Sequence, residues 1–182
     1  MGSPRIVSEE WVYHGRRVSL KKVLVEWAGR RFLREVVAFG EAVAIVPELG
    51  DGRVVLLEQY RPPVDRWVLE VPAGVVEPGE SPADTARREL VEETGYEPGE
   101  LEKLGSIHTT PGYSDEVLHI YLATRLRFVG SRPEEYEVLR TRVLKPVEAF
   151  REVVSREPSD AKTVVALTLY LLKRGVLGMR TG

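Results

Sequence analysis

Three glutamates, Glu89, Glu92 and Glu93, are spaced so that they share one face of a predicted helix. Residues three or four positions apart on a helix have β-carbons about 5–6 Å apart. At about 6 Å and an effective dielectric constant of about 20, each unpaired contact between two carboxylates costs on the order of 3 kcal/mol. Solvent exposure, a cation such as Arg87 or Arg88, or a bound divalent metal ion could offset this repulsion. The spacing therefore predicts a solvated acidic face or a metal site.

The segment before this helix favours the metal site. Residues 72–80 form a loop rich in glycine and proline that ends in a further carboxylate, Glu80. Loops of this kind bring backbone amides and carbonyls close to a ligand. Hard oxygen ligands, few in number and partly solvated, suit Mg²⁺ or Mn²⁺.

The sequence also gives the ends of the helix. Ser81 is a typical N-cap, Pro82 suits the first helical position, Asp84 completes a motif that resembles a capping box, and Gly95 is a typical terminator. We therefore expect a helix of about 13 residues that packs on a sheet through one apolar side. Three residues form that side: Ala83, Ala86 and Leu90.

The elements before this helix are predicted to be strands. Residues 6–46 alternate apolar and charged side chains, with glycines at the breaks. The segment 42–49 is continuously apolar, as in a strand that is buried on both faces. Residues 50–52 (GDG) turn the chain into a second apolar segment, 53–60, and we expect these two strands to form a central pair.

Further strands and two helices follow. Strands are predicted at 67–74, 101–110, 116–126 and near 137–144, and helices at 146–157 and 159–175, with Ser159 capping the last one. This order predicts an α+β fold in which helices cover a mixed sheet. We expect two parts, an N-terminal β-strand extension (1–40) and a main domain (41–182).

The composition of the chain limits the kinds of function that we expect. The chain has 182 residues, 43% of them hydrophobic and 30% charged, and its net charge is −2. We therefore expect a protein of the cytoplasm, without a membrane segment and without nucleic acid as a partner. The absence of cysteine excludes thiolate metal sites and cysteine nucleophiles. There is no asparagine and one glutamine, Gln59, which is typical of thermophile proteins.

The predicted helix and the loop before it resemble the motif of a known family. The segment 74–96 (GVVEPGESPADTARRELVEETGY) looks like the Nudix box, G-x5-E-x7-R-E-U-x-E-E-x-G-U, where U is apolar. A chance match would have to place the correct residue type at each of eight positions. The matching residues are Gly74, Glu80, Arg88, Glu89, Leu90, Glu92, Glu93 and Gly95.

The resemblance implies a Nudix-type α/β/α sandwich and hydrolysis of a phosphoanhydride with bound Mg²⁺, or with Mn²⁺ or Zn²⁺ as alternatives. By the family's pattern, Glu89, Glu93 and the carbonyl of Ala73 should bind metal. Glu80 would be an outer ligand or a supporting residue, and Arg88 would hold the glutamates in place. Glu92 would be a further ligand or would orient the attacking water.

Segments outside the box resemble the ADP-ribose pyrophosphatase branch of the family. One is 58–74 (EQYRPPVDRWVLEVPAG) and the other is Pro111, sixteen residues after Gly95. By resemblance, Arg61 would bind phosphate and Glu70 would contact the ribose or a metal-bound water. The alternatives are a surface ion pair for Arg61 and a charge at the end of a strand for Glu70.

Two residues compete for the role of general base. A carboxylate on the loop 111–116 could reach a metal-bound water when substrate is present, and we choose Glu116 over Asp115. Glu92, which is already beside the expected metal site, is the alternative.

The N-terminal extension matches a β-rich segment that relatives exchange between two subunits, so a homodimer is expected. Its segment REVV (34–37) makes Arg34 and Glu35 candidate contacts to the base or ribose. The function predicted is Mg²⁺-dependent hydrolysis of ADP-ribose to AMP and ribose 5-phosphate. The alternatives are hydrolysis of another nucleotide sugar or a dinucleotide, such as GDP-mannose, NADH or a diadenosine polyphosphate, and a nucleotide-sensing module without turnover.

Overall fold

The computed structural model describes residues 2–131 and 138–178. The described residues leave out 1, 132–137 and 179–182, which belong to the two predicted parts. The predicted start of one strand, at 137, is among the residues left out. The chain divides into two compact units. Unit 1 comprises Met1–Glu41 and His108–Val117, and unit 2 comprises Ala42–Ile107 and Leu118–Gly182.

The core of unit 1 is a three-stranded antiparallel sheet. Its strands are β1 (Arg5–His14), β2 (Ser19–Trp27) and β3 (Arg30–Ala38), in that order across the sheet. Two residues join β2 to β3, and both have positive φ, 51° at Ala28 and 75° at Gly29. This is the pattern of a tight turn whose twist matches that of a hairpin. The antiparallel N-terminal extension expected from the sequence is therefore confirmed.

Apart from single residues at their ends, the remaining elements lie in unit 2, which has two sheets in the orders β7-β4-β9-β8 and β10-β5-β6. The predicted α+β class is confirmed. None of the helices in the described part of the chain has both the length and the apolar character needed to span a bilayer. The elements are β4 (Glu41–Pro47), β5 (Val54–Arg61), β6 (Arg66–Glu70), β7 (Ala73–Val75), α1 (Pro82–Thr94), β8 (Tyr96–His108), β9 (Val117–Phe128), β10 (Leu139–Leu144), α2 (Pro146–Ser155) and α3 (Ala161–Lys173).

The prediction that the two apolar strands form a central pair is wrong. β4 and β5 lie in different sheets, joined by a turn in which Leu49 donates its N–H to the carbonyl of Arg53, and by one isolated bridge. Each strand lies between two others, β4 between β7 and β9 and β5 between β10 and β6. Continuous apolar sequence indicates burial on both faces, but it does not specify the hydrogen-bonding partner.

Helix α1 begins and ends as the sequence predicts. The Ser81 side chain accepts the N–H of Asp84, Pro82 is the first residue, and Gly95 closes the helix with a φ of 78°. Ala86 and Leu90 are fully buried, and Ala83 packs against the same cluster. Burial of a leucine side chain stabilises a fold by about 1.5–3 kcal/mol, so this face anchors α1 on its sheet. The buried partners from β4 and β9 are Val43, Ile45, Tyr121 and Ala123.

Helix α3 begins differently from the prediction. Its N-cap is Asp160 rather than Ser159, because the Asp160 carboxylate accepts the N–H of Thr163, three residues further on. The Thr163 hydroxyl in turn accepts the N–H of Val71, at 2.9 Å. The start of α3 is therefore attached to the chain just after β6.

Candidate active site

Arg88 is the centre of the acidic face of α1. It donates to Glu80 from Nε at 2.9 Å, and from Nη1 to Glu89 at 2.8 Å and to Glu92 at 3.0 Å. The hydrogen bond with Glu80 is the main reason that the pKa of Arg88 lies above its usual value. Solvent, a cation or a metal ion could offset the repulsion between the glutamates. The structure shows a neighbouring cation, Arg88.

Glu80, which directly precedes the N-cap Ser81 of α1, has a second hydrogen-bonding partner besides Arg88. The Thr85 hydroxyl donates to it at 2.7 Å, and the Arg88 side chain contacts both of its oxygens. The hydrogen bond from Arg88, followed by that from Thr85, lowers the pKa of Glu80 to about 2. Glu80 is therefore an ionised anchor for Arg88.

Glu93 lies on the buried side of this group. Only 2% of Glu93 is exposed, and its Oε2 accepts the N–H of Ala73 at 3.1 Å. Ala73 is the first residue of β7, which packs against α1. A carboxylate of the helix and the backbone of the preceding strand are thereby brought together.

Gly74 makes room for Glu89. A β-carbon at position 74 would lie 1.9 Å from Oε1 of Glu89 and 2.4 Å from its Cγ. Gly74 does not have positive φ, so this position needs glycine for space rather than for backbone conformation. Glu89 therefore lies directly against the backbone of β7.

The side chains of this region supply the oxygen ligands that Mg²⁺ prefers, because Glu80, Glu89, Glu92 and Glu93 all carry carboxylates. The space beside Gly74 also holds the Glu89 carboxylate at a fixed position. Within residues 2–131 and 138–178, however, no three acidic or histidine side chains are grouped closely enough to hold a metal ion as they stand. Arg88 contacts the carboxylates of Glu80, Glu89 and Glu92 in this arrangement.

A second charged cluster lies where β5, β6 and α3 meet. Arg61 contacts Glu70 through two hydrogen bonds, at 2.8 and 2.9 Å, and the ammonium group of Lys162 donates to the same carboxylate. Only 1% of the Glu70 side chain is exposed. Burial lowers the pKa of Arg61, but the hydrogen bond and charge of Glu70, followed by the charges of Glu93 and Asp160, outweigh it and raise the pKa.

The candidate base Glu116 belongs to unit 1. Its carboxylate accepts a hydrogen bond from the Thr109 hydroxyl, and its N–H donates to the Ser114 hydroxyl. The neighbouring Asp115 instead accepts the backbone N–H groups of Phe39 and Gly40, at 2.8 and 3.3 Å. Asp115 therefore holds the backbone at residues 39 and 40 in place.

Arg34 and Glu35 are exposed on β3. Consecutive residues of a strand point to opposite faces of the sheet, so the two side chains lie on different faces. Arg34 donates to the carbonyl of Leu33 at 2.9 Å and stacks over the Phe32 ring, 4.5 Å from its centroid. A ligand on one face of this sheet can contact one of the two side chains.

Comparison with known proteins identifies the family. The model of the NUDIX domain matches residues 38–166, more than half of the chain. The chain belongs to the Nudix family. It is 35% identical over 175 residues to the ADP-ribose pyrophosphatase of Bacillus subtilis (strain 168), covering 94% of this chain and 95% of that protein.

Two further comparisons agree. The ADP-ribose pyrophosphatase of Mycobacterium tuberculosis (strain ATCC 25618 / H37Rv) is 39% identical over 156 residues, covering 83% of this chain and 75% of that protein. A solved structure described as an ADP compounds hydrolase superposes with a TM-score of 0.83 at 26% identity, covering 97% of this chain and 98% of that one. The predicted Nudix fold is confirmed, and the protein is a Nudix hydrolase.

Unit 2 of this Nudix hydrolase brings together most of the residues predicted from the sequence. Arg88 contacts three of the predicted glutamates, Ala73 contacts Glu93, and Arg61 contacts Glu70. Arg34, Glu35 and Glu116 belong to unit 1.

Two contacts in this Nudix hydrolase could not be predicted from its sequence. Thr85 lies inside the box at a position where any residue is allowed, so the motif gives no signal for its bond to Glu80. Lys162 is separated from Glu70 by 92 positions along the chain. Only the packing of α3 against the end of β6 brings Lys162 to Glu70.

Replacement of Gly74 by alanine should reduce the activity of this Nudix hydrolase without unfolding it. The new β-carbon would displace the Glu89 side chain, so we expect kcat to fall at least about tenfold, while the free energy of unfolding changes by about 1 kcal/mol. Gly50→Ala is the control, because nothing lies within 4 Å of its added β-carbon. Equal kcat values for Gly74→Ala and the parent would contradict the role given to Gly74.

Replacement of Glu80 by glutamine should change the pH dependence of stability. The hydrogen bonds from Arg88 and Thr85 lower the pKa of Glu80 from its ordinary 4.5 to about 2 in the folded protein, so its stabilising effect is complete above pH 4.5 and is lost as the pH falls toward 2. The difference in free energy of unfolding between parent and Glu80→Gln should therefore shrink over this range in urea titrations.

Glu77→Gln is the matched control for this experiment. Glu77 is exposed in the same loop, and the structure pairs neither Arg88 nor Thr85 with its side chain. A difference between parent and Glu80→Gln that stays constant from pH 5 to pH 2 would show that the ion pair does not stabilise the fold.

Proposed function

We propose that this Nudix hydrolase cleaves the pyrophosphate bond of ADP-ribose with the help of Mg²⁺, giving AMP and ribose 5-phosphate. The observation that carries the proposal is the group of glutamates around Arg88 in a chain that matches, over 94% of its length, a relative named ADP-ribose pyrophosphatase. Water adds to one phosphorus, the bond from that phosphorus to the bridging oxygen breaks, and a carboxylate accepts the proton of the water.

Glu89, Glu93 and the carbonyl of Ala73 are the residues that we propose for the metal, with Glu80 as an outer ligand. Bound Mg²⁺, or Mn²⁺ or Zn²⁺ in its place, would neutralise phosphate oxygens and lower the pKa of a bound water. The chain's own contribution is position: Gly74 leaves space for Glu89, and Ala73 holds the Glu93 carboxylate. Arg88 keeps the acidic side chains from repelling one another.

We propose two alternatives for the group that accepts the proton. Glu92 is partly exposed beside Arg88, and Glu116 is held by Thr109 in unit 1. A base that is lost through substitution typically lowers the rate by about 10²–10⁴-fold. The residue whose change to glutamine reduces kcat to this extent, and removes the acidic limb of the pH–rate profile, is the base.

Arg61 is proposed to bind a phosphate of the substrate. Its planar guanidinium can bind two oxygens at once, and 31% of its side chain is exposed although Glu70 holds its Nε and Nη2. Glu70 is nearly inaccessible, so its position favours orientation of Arg61. In unit 1, Arg34 and Glu35 are proposed to contact the adenosine portion.

The activity can be tested with purified protein, ADP-ribose and Mg²⁺. We expect AMP and ribose 5-phosphate as products, no turnover with excess EDTA, and restored turnover after Mg²⁺ is added back. Glu93→Gln should lower kcat at least about 100-fold, because even the partners of metal ligands cost 10–100-fold when removed. Glu97→Gln is the matched control, since Glu97 pairs with Arg127 just after the helix.

The same assay separates the alternatives. A higher kcat/KM for GDP-mannose, NADH or a diadenosine polyphosphate than for ADP-ribose would replace the substrate but retain the chemistry. Binding of ADP-ribose without any product after prolonged incubation would indicate a sensor. Intact ADP-ribose with every metal tested, or a Glu93→Gln variant as fast as the parent, would refute the proposal.

We also propose that the sheet of unit 1 is a dimerisation region, so that the protein is a homodimer. All ten residues of β1 are exposed, including Ile6, Trp11 and Tyr13, and Leu33 on β3 is 59% exposed. Apolar side chains that are exposed on one sheet are typical of a surface that a partner covers.

Sedimentation equilibrium should therefore give twice the monomer mass. Trp11→Glu and Leu33→Glu place one charge on each face of the sheet, and at least one of them should yield monomers. Val176→Glu is the control, because Val176 is similarly exposed in unit 2. A parent protein that is monomeric at micromolar concentration would contradict the proposal.

A further inference from the structure

A cavity of about 620 Å³ opens beside the Arg61–Glu70 pair. Val64, Val68 and several other apolar residues form part of its wall. Its charged lining consists of three basic and two acidic residues, a net charge of +1: Arg61, Arg66, Lys162, Glu70 and Asp160. The mixture of apolar wall and a few polar groups is typical of a site for a small molecule.

Lys162 joins the charged lining of this cavity to helix α3. It lies in the first turn of α3 and donates to Glu70 and, at 3.0 Å, to Asp160. Its side chain is 19% exposed, whereas that of Glu70 is 1% exposed. Arg61 and Lys162 together balance the charges of Glu70 and Asp160, and Arg66 gives the lining its net charge of +1.

The charge of the cavity depends on this sharing. If Glu70 had only Arg61 as a partner, the two charges would cancel in a closed, bidentate pair. Lys162 neutralises one of the two negative charges near Arg61, those of Glu70 and Asp160, so Arg61 remains attractive to an anion. Without Lys162, the net charge of the lining falls from +1 to zero.

We propose that Lys162 is a positioning residue that keeps the lining of this cavity positively charged and the Arg61–Glu70 pair oriented, so that the cavity binds the phosphate-bearing part of the substrate. The inference rests on the proposed function, because it takes Arg61 as the phosphate ligand. It predicts that Lys162 acts on substrate binding and hardly on the chemical step.

The test measures KM and kcat for ADP-ribose with Mg²⁺ in four variants. Lys162→Met should raise KM about tenfold with little change in kcat, because one charge-assisted contact typically supports an effect of this size. Lys162→Arg keeps the charge and the donors, and should stay within about threefold of the parent. Lys173→Met is the matched control, since Lys173 is on the same helix and pairs with Glu102.

The fourth variant separates charge from structure. Glu70→Gln combined with Lys162→Met removes one negative and one positive charge, so the lining returns to a net charge of +1. We expect its KM to fall back toward the parent value. If Lys162 only attached α3 to β6, the double variant would bind no better than Lys162→Met.

Two results would overturn the inference: an unchanged KM in folded Lys162→Met, or a double variant with the same raised KM as the single one. If Lys162→Met does not fold, the double variant is compared with the parent and with Lys162→Arg instead, and a KM raised about tenfold in the folded double variant overturns the inference. Calorimetric titration of ADP-ribose in EDTA measures binding without turnover. A parent that binds ADP-ribose tenfold more tightly than Lys162→Met but never cleaves it would refute the proposed function and retain the role of Lys162.

Discussion

The site depends on one electrostatic constraint: carboxylates placed side by side on one short helix need cations within hydrogen-bonding distance. Repulsion between neighbouring carboxylates is on the order of 3 kcal/mol at an effective dielectric constant of about 20, comparable to a large part of a small domain's stability. Arg88 meets part of this need, because it contacts Glu80, Glu89 and Glu92. The rest of the structure follows from holding this group at the edge of β7.

The backbone around the group is arranged for close approach. Ala73 donates its N–H to Glu93, and Gly74 provides the space that Glu89 occupies. The apolar side of α1 packs against buried residues of β4 and β9, so the acidic side faces β7 and the loop before the helix. A second cluster has the reverse arrangement, because the buried carboxylate of Glu70 is shared by two cations, Arg61 and Lys162.

Local features of this fold could be predicted from the sequence, and partners distant in the chain could not. The cap at Ser81, the terminator at Gly95 and the apolar side at Ala86 and Leu90 follow from residue types at short spacing. The separation of β4 and β5 into two sheets does not, since an apolar strand accepts any neighbour of suitable register.

The same distinction applies to the candidate site. The Nudix box places Arg88 among the glutamates because all of them lie within one helix and its preceding loop. Lys162 joins Glu70 only after α3 packs at the end of β6, and no motif records that contact. The sequence predicts Ser159 as the cap of α3, whereas Asp160 occupies this position, because both residue types are good caps and adjacent positions compete.

We propose that the glutamates of α1 hold a divalent ion beside β7. A crystal structure of the protein grown with Mn²⁺, with anomalous scattering recorded near the manganese edge, tests it most directly. We expect an anomalous peak in contact with the carboxylates of Glu89 and Glu93 and with the carbonyl of Ala73. It would be contradicted by crystals at saturating Mn²⁺ in which no peak lies near α1 and Arg88 alone occupies the space between the glutamates.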